Sequence, residues 1–205
     1  MVRVIVAVVL AAVVQFAWGF AFYGQLSSMD HMTTRAPDES AVAQALAGTL
    51  PETGTYFLPL CPGPNATEAE TKAHADRAEA GPLVQIHYRK EGFSMAQMPV
   101  MMGMGFGHTM LTVVLAALLL RSVLPSLPTY LGRVAFVFGL GVFAAVALRM
   151  GDMIWFHHHW TYVAGQMVFC VVGWLLAGAV MGAIIRPTYQ AGQASKPYTH
   201  SANAA

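Results

Sequence analysis

The sequence predicts an all-α integral membrane bundle of four transmembrane helices, with a small α+β extracytoplasmic cap between helices 1 and 2. Three observations predict it. Residues 4–29, 92–120, 130–150 and 153–185 are four long stretches almost free of charge. A bilayer core of ~30 Å needs about 20 apolar residues as a helix, so each stretch is long enough to span. All 10 acidic residues then fall on one side, Asp30 through Glu91 together with Asp152, while Arg3, Arg121, Arg133, Arg186 and Lys196 mark the other. Short loops rich in Lys and Arg stay cytoplasmic. Both termini are therefore expected in the cytoplasm and the cap in the periplasm, in a bacterial inner membrane. Composition is the third observation: 10% charged and 56% hydrophobic residues, where soluble domains carry about 25% charged. A net charge of +1 gives no basic excess for nucleic acid.

Residues 1–27 read as the first helix, a retained signal anchor. Its apolar run is longer than a signal-peptide core, and Phe20-Ala21-Phe22-Tyr23-Gly24 is bulky where a protease wants small residues. The cap occupies residues 28–91. Pro37-Asp38-Glu39 places a proline and two acids in the first turn of a helix that Gly48 should end. Thr67-Glu68-Ala69-Glu70 is a capping box, opening a helix that Gly81-Pro82 stops. Glu68 and Lys72 stand at i,i+4 and are expected to pair. Residues 54–58 and 83–88 read as short strands, the second alternating through Val84, Ile86 and Tyr88, with a turn at Cys61-Pro62-Gly63-Pro64-Asn65. Such a cap is too small for a generous core of its own. Spans two to four are expected at 92–121, 128–151 and 158–186, followed by a flexible polar tail at 187–205. Pro125 and Pro128 mark a tight link between spans two and three. Arg149 and Asp152, at i,i+3, should pair at the outer boundary. Gly103-x-x-x-Gly107 and Gly178-x-x-x-Gly182 are small-residue faces suited to close helix packing. Cys61 and Cys170 lie too far apart in this topology to form a disulfide.

Three groups of residues carry possible chemistry. Six methionines fall between Met95 and Met110. Thioethers are soft ligands that select Cu(I), and Met95, Met98, Met101 and Met102 would supply them at the outer face. The plainer reading is adaptable apolar packing, which the residues favour. His157-His158-His159 is a second group. Three consecutive imidazoles cannot converge on one ion, but His157 and His159 share a side in an extended loop and could bind metal. Against this, Trp155, Phe156, Trp160 and Tyr162 mark an interfacial aromatic belt, and anchoring is favoured.

His108 is the third, because it lies inside a span, roughly 15 Å below the helix start at 1.5 Å per residue. An ionisable residue at that depth points to function. Gly103, Gly105 and Gly107 would let a flat tetrapyrrole, haem or chlorophyll-type, approach its imidazole. The favoured expectation is instead a hydrogen bond to Gln15 or Gln166, which fall at similar depths on spans one and four. No P-loop, nucleophile elbow, H-E-x-x-H, C-x-x-C-H or paired-carboxylate pattern occurs, and no span carries a mid-depth Asp or Glu. Neither an enzyme nor a proton-coupled carrier is expected, nor a small-molecule substrate. The leading expectation is a non-catalytic accessory or scaffolding subunit of a larger membrane complex, with the lipid bilayer and other membrane subunits as partners. Copper handling and tetrapyrrole binding through His108 are the alternatives.

Overall fold

A computed structural model of the chain describes residues 2–26 and 28–187. The polar tail from residue 188, with Lys196, lies outside the described residues. Four helical segments are long and apolar enough to cross a membrane: Val2–Gln25, Met95–Ser122, Tyr130–Trp155 and Trp160–Ile184. The first consists of α1 (Val2–Phe20) and a π-helical turn at Ala21–Gln25. The second opens with a 3-10 turn and continues as α5 (Met98–Ser122), with Pro99 in its first turn, where a missing N–H costs nothing. The third joins α6 (Tyr130–Ala145), a second π-helical turn at Val146–Met150 and α7 (Gly151–Trp155). The fourth is α8 (Trp160–Ile184).

The third span thus runs past the expected end at residue 151, and the link to the fourth shrinks to four residues, Phe156 to His159. The π turn carries the helix through Gly151 instead of ending there. Arg149 and Asp152 pair as expected, at 3.3 Å, across that continuation.

One cluster of buried side chains holds the bundle together. It joins Ala7, Val8 and Ala11 of α1, Val113, Ala117 and Leu120 of α5, Val137 of α6, and Ala177 and Met181 of α8. The start of the first span and the end of the fourth therefore lie at the same end of the bundle, with the cap at the other. Between α6 and α8 the backbones meet closely. A Cβ on Gly178 would come within 3.2 Å of the Val134 carbonyl oxygen, and one on Gly182 within 3.0 Å of Val134 Cγ2. A Cβ on Gly141 would collide with Trp174 Cβ and Cγ. Small residues at these places replace the hydrophobic drive that lipid abolishes.

Arg133 completes that seam. It is 4% exposed, and among the described residues no acid pairs with it. Its Nε donates to the Gly182 carbonyl at 2.9 Å, and its Nη1 donates to Pro128 at 2.8 Å and Leu127 at 3.2 Å. Gly182 lies in the last turn of α8, where free carbonyls give the helix end a negative potential that a cation offsets. Two further bonds hold α1 to α8: Trp18 Nε1 donates to Phe169 O at 3.0 Å and Gln15 Nε2 to Gly173 O at 3.3 Å.

The cap follows the sequence closely. After α2 (Ser28–Met32), whose buried Met32 fills the space beside Gly165, come α3 (Glu39–Thr49) and α4 (Glu68–Ala80). Two antiparallel strands, β1 (Gly54–Leu58) and β2 (Val84–Tyr88), pair from Gly54↔Tyr88 to Leu58↔Val84. Asp38 is the N-cap of α3, so Pro37 precedes the helix and does not belong to its first turn. Gly48 does not end it. Thr49 continues the turn, its hydroxyl donating to Ala45 O at 2.7 Å. The capping box of α4 is complete, with Thr67 and Glu70 bonding reciprocally. The Glu70 carboxyl is held below the usual carboxylate range, chiefly by the Thr67 backbone N–H and then by its hydroxyl. Gly81, at φ 65°, closes the helix in a conformation that favours glycine. Lys72 pairs with Asp76 at 3.1 Å, not with Glu68. It has an acid four residues away on either side, and at this exposure the choice is worth little. Phe57 of β1 meets Phe156 at 5.9 Å between ring centroids, tying the cap to the last link.

Candidate functional site

The four spans close tightly at the end away from the cap and part toward it. In the cap-side half a cavity of about 640 Å³ lies between all four. The cause is the course of α5. It packs along α1 and touches α6, but has no packed seam with α8. Its buried residues begin only at Val113. Above that point Met102, Gly105, His108, Thr109 and Thr112 face the cavity from one wall, and Gln166, Phe169, Cys170 and Gly173 of α8 from another.

Both π-helical turns border this cavity. One brings in Tyr23 and Gly24, the other Leu148 and Arg149. A π turn shifts the residues after it around the helix axis and is frequent at functional sites. The Leu26 N–H donates to Ala21 O at 2.9 Å, the i→i+5 bond that defines the first of them.

The expected His108–glutamine bond is absent. Gln15 is spent on the Gly173 carbonyl, and the Gln166 Oε1 accepts from the Tyr23 hydroxyl at 3.2 Å. Depth placed the three residues level with one another, but the gap between α5 and α8 separates His108 from Gln166, and Gln15 of α1 turns to α8 instead. Among the described residues His108 has no hydrogen-bond partner, and its side chain is exposed on the cavity wall. Among the described residues the Gln166 amide nitrogen is likewise unengaged, and Arg149 makes one bond, to Asp152.

The methionines divide. Met102 lines the cavity, whereas Met95, Met98 and Met101 do not. Met95 and Met101 are exposed and Met98 is half-buried. The histidine triplet divides as well. His159 is the N-cap of α8, its Nδ1 accepting from the Thr161 N–H and lying 2.7 Å from the Thr161 hydroxyl. His157 sits at φ 57°, a strained conformation for a side-chain-bearing residue, and His158 stacks edge-on to Tyr162. Among the described residues no three His, Cys, Asp or Glu side chains gather where they could share a metal ion.

Tyr23, Arg149 and Trp18 were not legible as site residues. Arg149 gave the one usable signal: a cation inside an apolar stretch with a single acid to answer it. Compared with protein-family models, curated proteins and solved structures, the chain matches none.

Proposed function

We propose that this chain is a non-catalytic accessory subunit of a larger membrane complex, and that its own contribution is to hold a lipid-phase small molecule in the cavity between its spans. The observation that carries this reading is His108. An imidazole at membrane depth is costly to leave without a hydrogen-bond partner. Among the described residues nothing supplies one, and the ring faces a space of about 640 Å³, within the range of small-molecule sites. The lining adds aromatic surface from Phe16, Trp18, Phe20, Phe169 and Trp174 and few polar groups, the usual balance of a ligand pocket.

The subunit role draws support from the opposite use of two glycine faces. Gly178 and Gly182 are filled from within the chain, while Gly103 and Gly107 have no atom within 4 Å of where a Cβ would lie. A small-residue face left open in this way suits a helix from another subunit. A tetrapyrrole also falls within this reading, since His108 offers a free imidazole beside the aromatic lining. Copper draws less support, because of its soft ligands only Met102 reaches the cavity.

Isolation from native membranes in a mild detergent tests both parts. The expected particle is larger than the 22.0 kDa chain with its micelle, and organic extraction should release one small molecule per chain, lost in His108→Leu. A lone chain that releases nothing would defeat the proposal.

A further inference from the structure

We propose that the cavity is a binding site for a quinone-type molecule: a flat ring bearing carbonyl oxygens, carried on an apolar tail. This deepens the ligand-holding reading and rests on it. The free donors of the lining outnumber its free acceptors. Three lining residues on three helices keep unengaged donors among the described residues: His108 on α5, Gln166 through its amide nitrogen on α8, and Arg149 through its remaining guanidinium N–H groups on the third span. Against them, among the same residues, stands one free amide acceptor, Gln15 Oε1 on α1. Among the described residues no carboxylate lines it. A ligand that satisfies this set offers acceptor oxygens, and on more than one side, because α5 and α8 form separate walls. An amine or a metal cation is a poor match for a lining that presents no carboxylate among the described residues.

The shape of the space points the same way. Gly19, Gly105 and Gly173 leave room for the rings of Phe169, Phe16 and Trp18 to lie against the helices, so flat aromatic faces line the space. Flat ligands stack well between such surfaces. Met102, His108 and Leu148 are all exposed, so the cavity is open sideways between α5 and the third span. A long apolar tail leaves by that opening into the hydrocarbon, while the ring stays under the cap-side aromatic residues. Both π-helical turns border the ring's position, which is where local departures from the α-helix tend to serve binding.

The test uses the full chain in lipid nanodiscs, titrated with decylubiquinone while tryptophan emission is followed. Trp18 and Trp174 line the cavity, and quinones quench indole on contact. Saturable quenching is expected in the wild type above that in empty nanodiscs. Losing one hydrogen bond in His108→Leu or Gln166→Leu should raise the apparent Kd by roughly tenfold. Ala144→Phe and Thr112→Phe, which fill the space from two different helices, should each abolish saturation. The two fillers guard against one of them misfolding, and size-exclusion profiles report that directly. Quenching that never saturates, or that is unchanged in every variant, would overturn the assignment. So would a Soret band in the native protein that disappears in His108→Leu; that result would leave the ligand-holding reading standing and only the ligand class wrong. A native protein that carries no extractable molecule at all would remove the reading itself.

Discussion

The seam between α6 and α8 and the flank formed by α5 are built from similar residues and behave oppositely. Both contain Gly-x-x-x-Gly and both are mostly apolar. In the seam, Gly178 and Gly182 bring backbone against Val134, Gly141 admits Trp174, and Arg133 locks the end with three bonds to carbonyls. On the flank, Gly103 and Gly107 meet no side chain among the described residues, and although Phe106 packs on Phe16 the fully buried residues of the helix begin only at Val113. A small-residue motif therefore does not by itself state what it packs against. In lipid, where burying a leucine gains little, the decisive additions are a complementary large side chain and a polar clamp. The seam has both. The flank has neither, and the space it leaves is the cavity.

Substitutions that attack the seam should have the largest effects. Gly141→Val forces a branched side chain onto Trp174 and should destabilise the bundle by about 3 kcal/mol or more, read as a shifted midpoint in SDS titration. Arg133→Ala strands buried carbonyls at the end of α8 and should cost roughly 2–3 kcal/mol. Lysine at that position cannot reproduce the forked bonding and should recover only part of it. Gly178→Ala and Gly182→Ala should each cost about 1–2 kcal/mol, since Val134 must yield by a few tenths of an ångström. If these two proved as silent as the flank, the contrast would collapse.

The same change on the flank should do almost nothing to the isolated chain. Gly103→Ala and Gly107→Ala are expected to be neutral or to stabilise by about 0.5–1 kcal/mol, because each replaces glycine inside a helix. Their effect should appear only in the assembled complex, as loss of co-purifying subunits. A large cost in the isolated chain would mean that α5 packs more closely than described.

The smallest effect expected lies in the cap. Glu70, whose folded carboxyl titrates below its unfolded value, stabilises the start of α4 when ionised. That contribution is complete above the ordinary carboxylate pKa of about 4 and is lost as pH falls through the lowered value. Exchange protection of the Glu70 amide, which donates to Thr67 Oγ1 at 3.3 Å, should weaken over that window while the seam is unaffected.

What the sequence made legible follows the same division. The spans were readable because twenty apolar residues in a row have few other uses. The α4 capping box and the β1–β2 pair were readable because their signals are local. The third span's extension to Trp155 was not, since a π turn leaves hydropathy unchanged and alters only which way Arg149 points. The partner of His108 was misjudged for a related reason. Depth along a helix can be counted from sequence, but the angle and distance between α5 and α8 depend on what packs elsewhere. Gln15 and Gln166 stood at suitable depths and were already committed to Gly173 and Tyr23.

The central claim is that the gap beside α5 is a binding site with His108 as its polar contact. Native mass spectrometry of the full chain released from nanodiscs tests it most directly. The account predicts one small-molecule adduct per 22.0 kDa chain, strongly reduced in His108→Leu and absent from Ala144→Phe, with the seam variant Gly178→Ala retaining it. A wild-type chain that flies bare, or an adduct indifferent to both cavity substitutions, would contradict it.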